Sequence, residues 1–409
     1  MNFRFLHAAD LHLGSPFLGL AQKDADVAAR FAGAGRSAFE ELVTKALEED
    51  VSFVVIAGDV FDGEWKDASI ALFLNRQLAR LSNRGVPTFL LRGNHDAESL
   101  VAKSVTWSDD VFEFSTGRPQ THRIEDLRVA LHGRGFPRRE VVENYAVDYP
   151  DPLAGWFNIG VLHTTCGRAG HENYAPCTVA DLAARGYDYW ALGHVHAFEI
   201  VSRDPWIVYP GNLQGRSIRE CGARGAVIVE VADGEVADVR RVVTDRARWA
   251  QVSVDASPHE DETGLIRAVE AELRPHAEAA GGRLLAVRVI LTGATTLHPR
   301  FIADRDRLRD EVEAAAQRCA DDIWLERLRI DTTEPEQAAS GAALAEIDLA
   351  AALKDCEMEA MLRSRVSDLV KTVQDKLPGG MAEDAGAALD LDSILVEARA
   401  LALGRSAGA

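Results

Sequence analysis

Three apolar runs, at residues 3–9, 51–57 and 86–91, each stop at a polar motif, and the stretches between them space their apolar residues for helix. The motifs are Asp10-Leu11-His12, Gly58-Asp59 and Gly93-Asn94-His95-Asp96. Phe39, Leu42, Val43, Ala46 and Leu47 keep a 3.6-residue period between the first two runs. Ile70, Phe73, Leu74, Leu78 and Leu81 do so between the second and third, with Gly85 and then Pro87 closing the helix. Strand and helix therefore alternate as βαβαβ, which predicts a largely parallel sheet with helices packed on it. In such a sheet the loops leaving the C-terminal strand ends converge, so motifs far apart in sequence can share one site.

The alternation continues less regularly. Apolar runs at 127–132 and 157–162 read as strands, the second leading into His163. Thr178-Val179-Ala180-Asp181 reads as a capping box opening a short helix that Gly186 ends. A strand over 187–192 then runs into Gly193-His194-Val195-His196. Short strands at 198–201, 206–209, 226–231 and 236–243 predict a second sheet packed against the first. Near 244–250 the pattern resets to a strand (251–254), a helix (263–280), a strand (284–291), a helix (305–320) and a strand (323–330). From Glu334 the chain is rich in Ala, Glu and Asp, with helical stretches near 343–353, 357–376 and 387–403. At 409 residues the chain is too long for one compact core, and three parts are expected: 1–248, a small α+β domain at 249–335, and an acidic helical tail at 336–409.

Charge narrows the partners. The formal net charge is −19, with 27 basic against 34 acidic residues in 1–250 and 18 against 30 in 251–409. No polybasic run appears, so tight nonspecific binding to nucleic acid by this chain alone is not expected. Five cysteines (Cys166, Cys177, Cys221, Cys319 and Cys356) without CxxC spacing fit a reducing compartment and argue against a zinc ribbon. With no signal-like start and no membrane-length apolar run, a cytoplasmic location without membrane association is expected.

The chemistry lies in the motifs. Carboxylate, imidazole and amide donors without thiolate suit Mn²⁺, Fe²⁺ or Zn²⁺, with Mn²⁺ the leading expectation. In Asp-x-His and His-x-His, alternation lets both side chains of a pair reach one cluster. The set resembles that of the calcineurin-like metallophosphoesterase superfamily, and within it the SbcD-type DNA repair exonucleases. That resemblance covers residues 1 to about 245, and extends more weakly to the α+β unit, which looks like that family's capping domain. It implies an α/β fold: a two-sheet sandwich flanked by helices, then the capping domain and the helical tail.

The same resemblance implies the site. One divalent metal would be held by Asp10, His12 and His196, the other by Asn94, His163 and His194, with Asp59 bridging both. Two such ions about 3.5–4 Å apart lower the pKa of a bridging water, the expected nucleophile, and clamp the attacking and leaving oxygens. Two divalent ions against two carboxylates also keep the centre locally positive in an acidic chain. His95 would be the general acid, a role worth roughly 10²–10⁴-fold, and Asp96 would orient its imidazole. Asp62 stands where archaeal and eukaryotic recombination nucleases carry histidine and the bacterial SbcD type commonly has Asp; by residue type alone it reads as a turn former. The implied function is phosphodiester cleavage in DNA repair, with DNA as substrate and an SbcC-type coiled-coil ATPase as partner, docked through the tail. A homodimer is a further expected assembly. A small-molecule phosphatase or phosphodiesterase, and a DNA-end-binding or scaffold subunit without needed catalysis, are the alternatives.

Other residues carry plainer expectations. His7 reads as a buried, hydrogen-bonded strand histidine, and His132 and His171 as loop residues near the substrate at most. Pro210-Gly211-Asn212-Leu213-Gln214-Gly215-Arg216 is either a simple glycine-rich loop or a substrate-facing one, with Arg216 or Arg219 on phosphate. Trp65 and Trp107 read as packing residues before base-stacking ones. Leu362, Val366, Leu369, Val370 and Val373 form a stripe at helical spacing, suited to docking on a partner.

Overall fold

The computed structural model describes residues 1–15, 25–62, 68–99, 105–167, 174–335, 360–374 and 398. The chain forms two compact units, Met1–Trp249 and Ala250–Ala409.

In the first unit, β1 (Phe3–Ala8), β2 (Phe53–Ala57), β3 (Thr88–Leu91) and β4 (Val111–Glu113) pair in parallel, with α1 (Ala25–Glu48) and α2 (Ala68–Ser82) as crossovers. A short α3 (Asn94–Glu98) follows β3 directly. The second sheet is built from β5 (Gln120–Ile124), β6 (Val129–Gly133), β7 (Phe157–His163), β8 (Tyr189–Gly193), β9 (Glu199–Arg203) and β10 (Trp206–Tyr209), with α4 (Val179–Ala183) between β7 and β8. Its order is β5-β6-β7-β8-β10-β9. The capping box at Thr178 and Asp181 is present, with Thr178 Oγ1 accepting from Asp181 N at 3.1 Å.

One expectation about the sheets is corrected. β11 (Gly225–Ala232) and β12 (Glu235–Val243) do not belong to the second sheet. β11 pairs antiparallel with β1, and β12 with β11, so the first sheet runs β12-β11-β1-β2-β3-β4. The second sheet instead gains β5 and β6, because β6 pairs in parallel with β7 and β5 antiparallel with β6.

Strand alternation explains the layers. Phe3, Phe5, Phe53, Val55, Phe89 and Leu91 face the second sheet and share a core with Phe157, Ile159, Val161, Tyr189 and Ala191. Leu6, Ala8, Val54, Ile56 and Leu90 face the other way, under α1 and α2. Trp190, Leu192, Ile207 and Tyr209 cover the far face of the second sheet beneath Tyr145, Tyr149 and Leu182. Strands buried on both faces read as unbroken apolar runs, which is why they were visible in the sequence. Rings lock the sheets together: Phe5 meets Tyr189 edge-on at 5.2 Å, and Phe3 meets Phe157 edge-on at 5.5 Å. The fold is thus a mixed α/β two-sheet sandwich flanked by helices.

The second unit holds a three-stranded sheet, β13 (Ala247–Asp255), β14 (Leu284–Ala294) and β15 (Ile323–Thr333). α5 (Glu262–Ala280) and α7 (Arg305–Cys319) share its apolar core, with α6 (His298–Ala303) between β14 and α7. A last described helix, α8 (Ala360–Gln374), lies within the expected 357–376, and Leu369 on it is exposed. The helical stretches expected at 343–353 and 387–403, together with Trp65 and His171, lie outside the described residues, apart from residue 398. Among the described residues no helix is long and apolar enough to cross a membrane.

Candidate metal centre

The parallel strands deliver their motifs to one end of the sandwich. Asp10 follows β1, Asp59 follows β2, Asn94 opens α3 after β3, His163 ends β7, and His194 follows β8. Beyond the strands the first two loops run side by side: Asp10 N donates to Gly58 O, His12 N to Asp59 O and Leu13 N to Val60 O, each at 3.0 Å. The crowding accounts for the glycines before Asp59, Asn94 and His194. Gly58 has φ +93°, and a Cβ there would lie 2.5 Å from His163 Nδ1. A Cβ on Gly193 would lie 1.9 Å from the carbonyl oxygen of Ala57, so only glycine lets the two sheets' strand ends approach this closely. Asp10, His12, Asp59 and His194 themselves take positive φ (52°, 44°, 52° and 94°), conformations that cost roughly 1–3 kcal/mol each and gather at functional sites.

Two donor sets result. His12 Nε2 and His196 Nε2 face each other at 3.1 Å, and Asp10 Oδ1 lies 4.0 Å from His196 Nε2. In the second set Asn94 Oδ1 lies 3.0 Å from His163 Nε2 and 3.1 Å from His194 Nδ1. Asp59 Oδ2 touches both sets, at 3.4 Å from His163 Nε2 and 3.9 Å from His12 Nε2. The structure therefore brings all seven expected ligands together, with Asp59 in the middle.

These contacts fit a metal. His163 Nδ1 donates to Ala57 O at 2.9 Å, which fixes the tautomer and leaves an Nε2 lone pair pointing at an amide oxygen. Lone pair against lone pair is repulsive. Without a metal that repulsion is relieved by a proton on Nε2, and a cation between the two atoms would take the proton's place. Two ligand nitrogens about 2.1 Å from one ion sit ~3.0–3.4 Å apart at ordinary coordination angles, the separation of the two Nε2 atoms. Asp10, Asp59, Asn94 and His163 are all buried, which raises the need for compensating charge. Burial pushes the Asp10 carboxyl up to about 6 even against the pull of His196 and His163. At His163 burial acts downward, but Asp59 and Asp10 outweigh it and lift the imidazole to about 9.

The general-acid candidate is held differently from the expectation. His95 Nδ1 lies 2.8 Å from Asp62 Oδ1, not on Asp96. Asp96 accepts three backbone N–H groups instead: Val60 at 3.0 Å, Phe61 at 2.8 Å and Gly93 at 3.0 Å. Fully buried, it staples the β2 loop to the start of α3 and does not orient the imidazole. Asp62 is no simple turn former; it also accepts from Ser15 Oγ at 2.5 Å and Arg216 Nη1 at 2.9 Å. Burial lowers the His95 imidazole, yet Asp62 and Asp59 overcome this and raise it above its ordinary value, so it keeps a proton more readily. Its side chain is 34% exposed, against 28% for His196, 1% for His12 and 0% for His163, so a substrate could reach it.

Sequence reasoning missed Glu220. Its Oε1 lies 2.7 Å from His196 Nδ1, fixing that ring so that Nε2 faces His12. No motif surrounds it, and only the loop's fold reveals it. Arg216, weighed as a phosphate contact, lies between Asp62 and Glu220. His132 is on β6, buried between Thr121 and Asn158, so it is neither a loop residue nor near substrate. His7 is buried and bonded to Tyr189 and Leu192, as expected. Trp107 packs partly buried and donates to Glu113 at 2.7 Å.

Comparison with known proteins bears on the family. Residues 3–198 match the family model for calcineurin-like phosphoesterases, and residues 249–333 match that for the middle domain of the metallophosphoesterase YhaO. The chain is 33% identical over 348 residues to an uncharacterized metallophosphoesterase, YhaO, of Bacillus subtilis, covering 82% of this chain and 83% of that one. It is 26% identical over 366 residues to the DNA double-strand break repair protein Mre11 of Methanopyrus kandleri, covering 80% and 72%. Among solved structures, a dimetal phosphatase from Danio rerio is similar at a TM-score of 0.35 and 12% identity, over 56% of this chain and 93% of that one.

Proposed function

Since the chain belongs to the calcineurin-like metallophosphoesterases, we propose that it is a two-metal phosphodiesterase, and that its substrate is DNA, in the manner of the SbcD-type repair nucleases. The observation that carries the reading is the pair of donor sets joined by Asp59, beside the accessible imidazole of His95. Two divalent ions, Mn²⁺ on this reading, would be held by Asp10, His12 and His196 and by Asn94, His163 and His194, with Asp59 shared. When bound they supply an activated water and neutralise the phosphoryl oxygens. The protein's own share is positional. Asp62 engages Nδ1 of His95, so the opposite ring nitrogen can hand a proton to the departing alkoxide.

DNA as substrate draws support from the relative named as a double-strand break repair protein, and an SbcC-type ATPase would supply the positive surface that a chain of net charge −19 does not. The same charge favours the second reading, a hydrolase of small phosphodiesters. A panel of blunt, single-stranded and hairpin DNA, with Mn²⁺ and with and without the ATPase, separates them. Degradation that His95→Ala reduces at least 10²-fold supports the nuclease. Intact DNA beside rapid turnover of a mononucleotide ester would instead establish the small-molecule enzyme.

A further inference from the structure

An unbroken chain of polar contacts joins the candidate proton donor to a candidate metal ligand. His95 Nδ1 meets Asp62 Oδ1 at 2.8 Å, and Asp62 Oδ2 accepts from Arg216 Nη1 at 2.9 Å. Arg216 Nη2 lies 3.4 Å from Glu220 Oε1, which in turn lies 2.7 Å from His196 Nδ1. Asp62 and His95 follow strands of the first sheet, and His196 follows a strand of the second. We propose that Arg216 is a positioning residue whose guanidinium clasps Asp62 and Glu220, and so fixes the proton donor His95 relative to the metal ligand His196 across the two sheets.

Three observations favour a clasp over a phosphate contact. First, the fork is committed, with one Nη on each carboxylate, while those carboxylate side chains are each only 12% exposed. Second, Glu220 is held twice by the same residue, since Arg216 backbone N donates to Glu220 Oε2 at 2.7 Å. Third, the loop that carries the clasp is itself pinned. The buried Asn212 donates to Glu220 Oε2 at 2.8 Å and accepts from Arg224 Nη1 at 3.2 Å. A planar guanidinium spans two carboxylates; an ammonium, a point charge on a flexible stem, does not reproduce that geometry.

The inference rests on the reading of His95 as general acid and His196 as ligand. The test therefore has two independent readouts on full-length Arg216→Ala, Arg216→Lys and Glu220→Gln. The first is hydrolysis of bis(p-nitrophenyl) phosphate and of diphenyl phosphate, whose poorer leaving group depends more on a proton donor. In Arg216→Ala, kcat should fall tenfold or more on diphenyl phosphate, clearly less on the activated ester, with KM within about threefold; Lys should restore little. The second is Mn²⁺ titration, in which one of two equivalents should weaken about 10–100-fold. A raised KM with unchanged kcat would make Arg216 a phosphate contact and overturn the proposal. Equal losses on both esters with an unchanged metal isotherm would reduce it to a structural role. Were the wild type to hydrolyse neither ester, the phosphodiesterase reading would fail, and the isotherm alone would still decide whether Arg216 governs the His196 site.

Discussion

His95 finds its Nδ1 partner in Asp62, at 2.8 Å, while Asp96, next to it in sequence, commits both oxygens to backbone N–H groups. The two acids should therefore fail in different ways. Asp62→Asn is expected to lower kcat on a phosphodiester roughly 10²-fold, the lower end of a general acid's contribution. Asp96→Asn should lower the free energy of unfolding by about 1–3 kcal/mol, because an amide cannot replace a carboxylate against three donors. Turnover lost in Asp96→Asn at unchanged stability would reverse this assignment. The seven candidate ligands were legible because each sits at or just past the end of an apolar run, three of them directly behind a glycine. The roles of Asp62 and Asp96 were not, because they turn on local geometry. Asp96 occupies the third position of α3, from which its side chain folds back to the N–H of Gly93 before the helix, a capping habit that Gly-Asn-His-Asp does not advertise.

Between elements, the sequence showed which segments are strands better than which sheet each joins. β11 and β12 come after the second sheet's strands, yet β11 lies against β1, in register from Phe3 with Val231 to His7 with Val227. Pairing partners depend on long-range packing that a local pattern does not encode. α1 is likewise longer than the period suggested. Val27, Phe31, Ala34 and Ala38 continue the buried stripe, diluted by Gly33 and Gly35. Away from the candidate metal centre, a polar bridge crosses the sandwich. His7 on β1 uses Nε2–H toward Leu192 O at 3.1 Å and accepts from Tyr189 OH at 3.0 Å, both on β8. Burial, only partly offset by the Leu192 bond, holds its imidazole down to about 3. The unfolded chain protonates this histidine near 6.5, so the stability it confers is complete above that pH and drains away as pH falls toward 3. His7→Phe should cost about 1–3 kcal/mol at neutral pH, by leaving two buried groups unpaired. Between pH 3 and 6.5 the variant's stability should fall less steeply than wild type, by up to about 1.4 kcal/mol per pH unit. Denaturant unfolding across that range reads both effects, and parallel curves would contradict the neutral, bridging histidine.

At the scale of the molecule, an acidic chain concentrates buried imidazoles, amide oxygen and carboxylates at one end of a sandwich. There four candidate-ligand backbones are held at positive φ and potential metal-donor atoms lie about 3 Å apart. Such an arrangement is intelligible as a scaffold waiting on cations, and binding that favours the folded state should stabilise it in proportion to metal concentration. The most direct test is to add Mn²⁺ stepwise to metal-stripped protein while following hydrolysis of bis(p-nitrophenyl) phosphate. Turnover should stay low through the first equivalent, rise with the second and level off at two ions per chain. Full activity at one equivalent, or two bound ions with no hydrolysis, would contradict a two-metal phosphodiesterase.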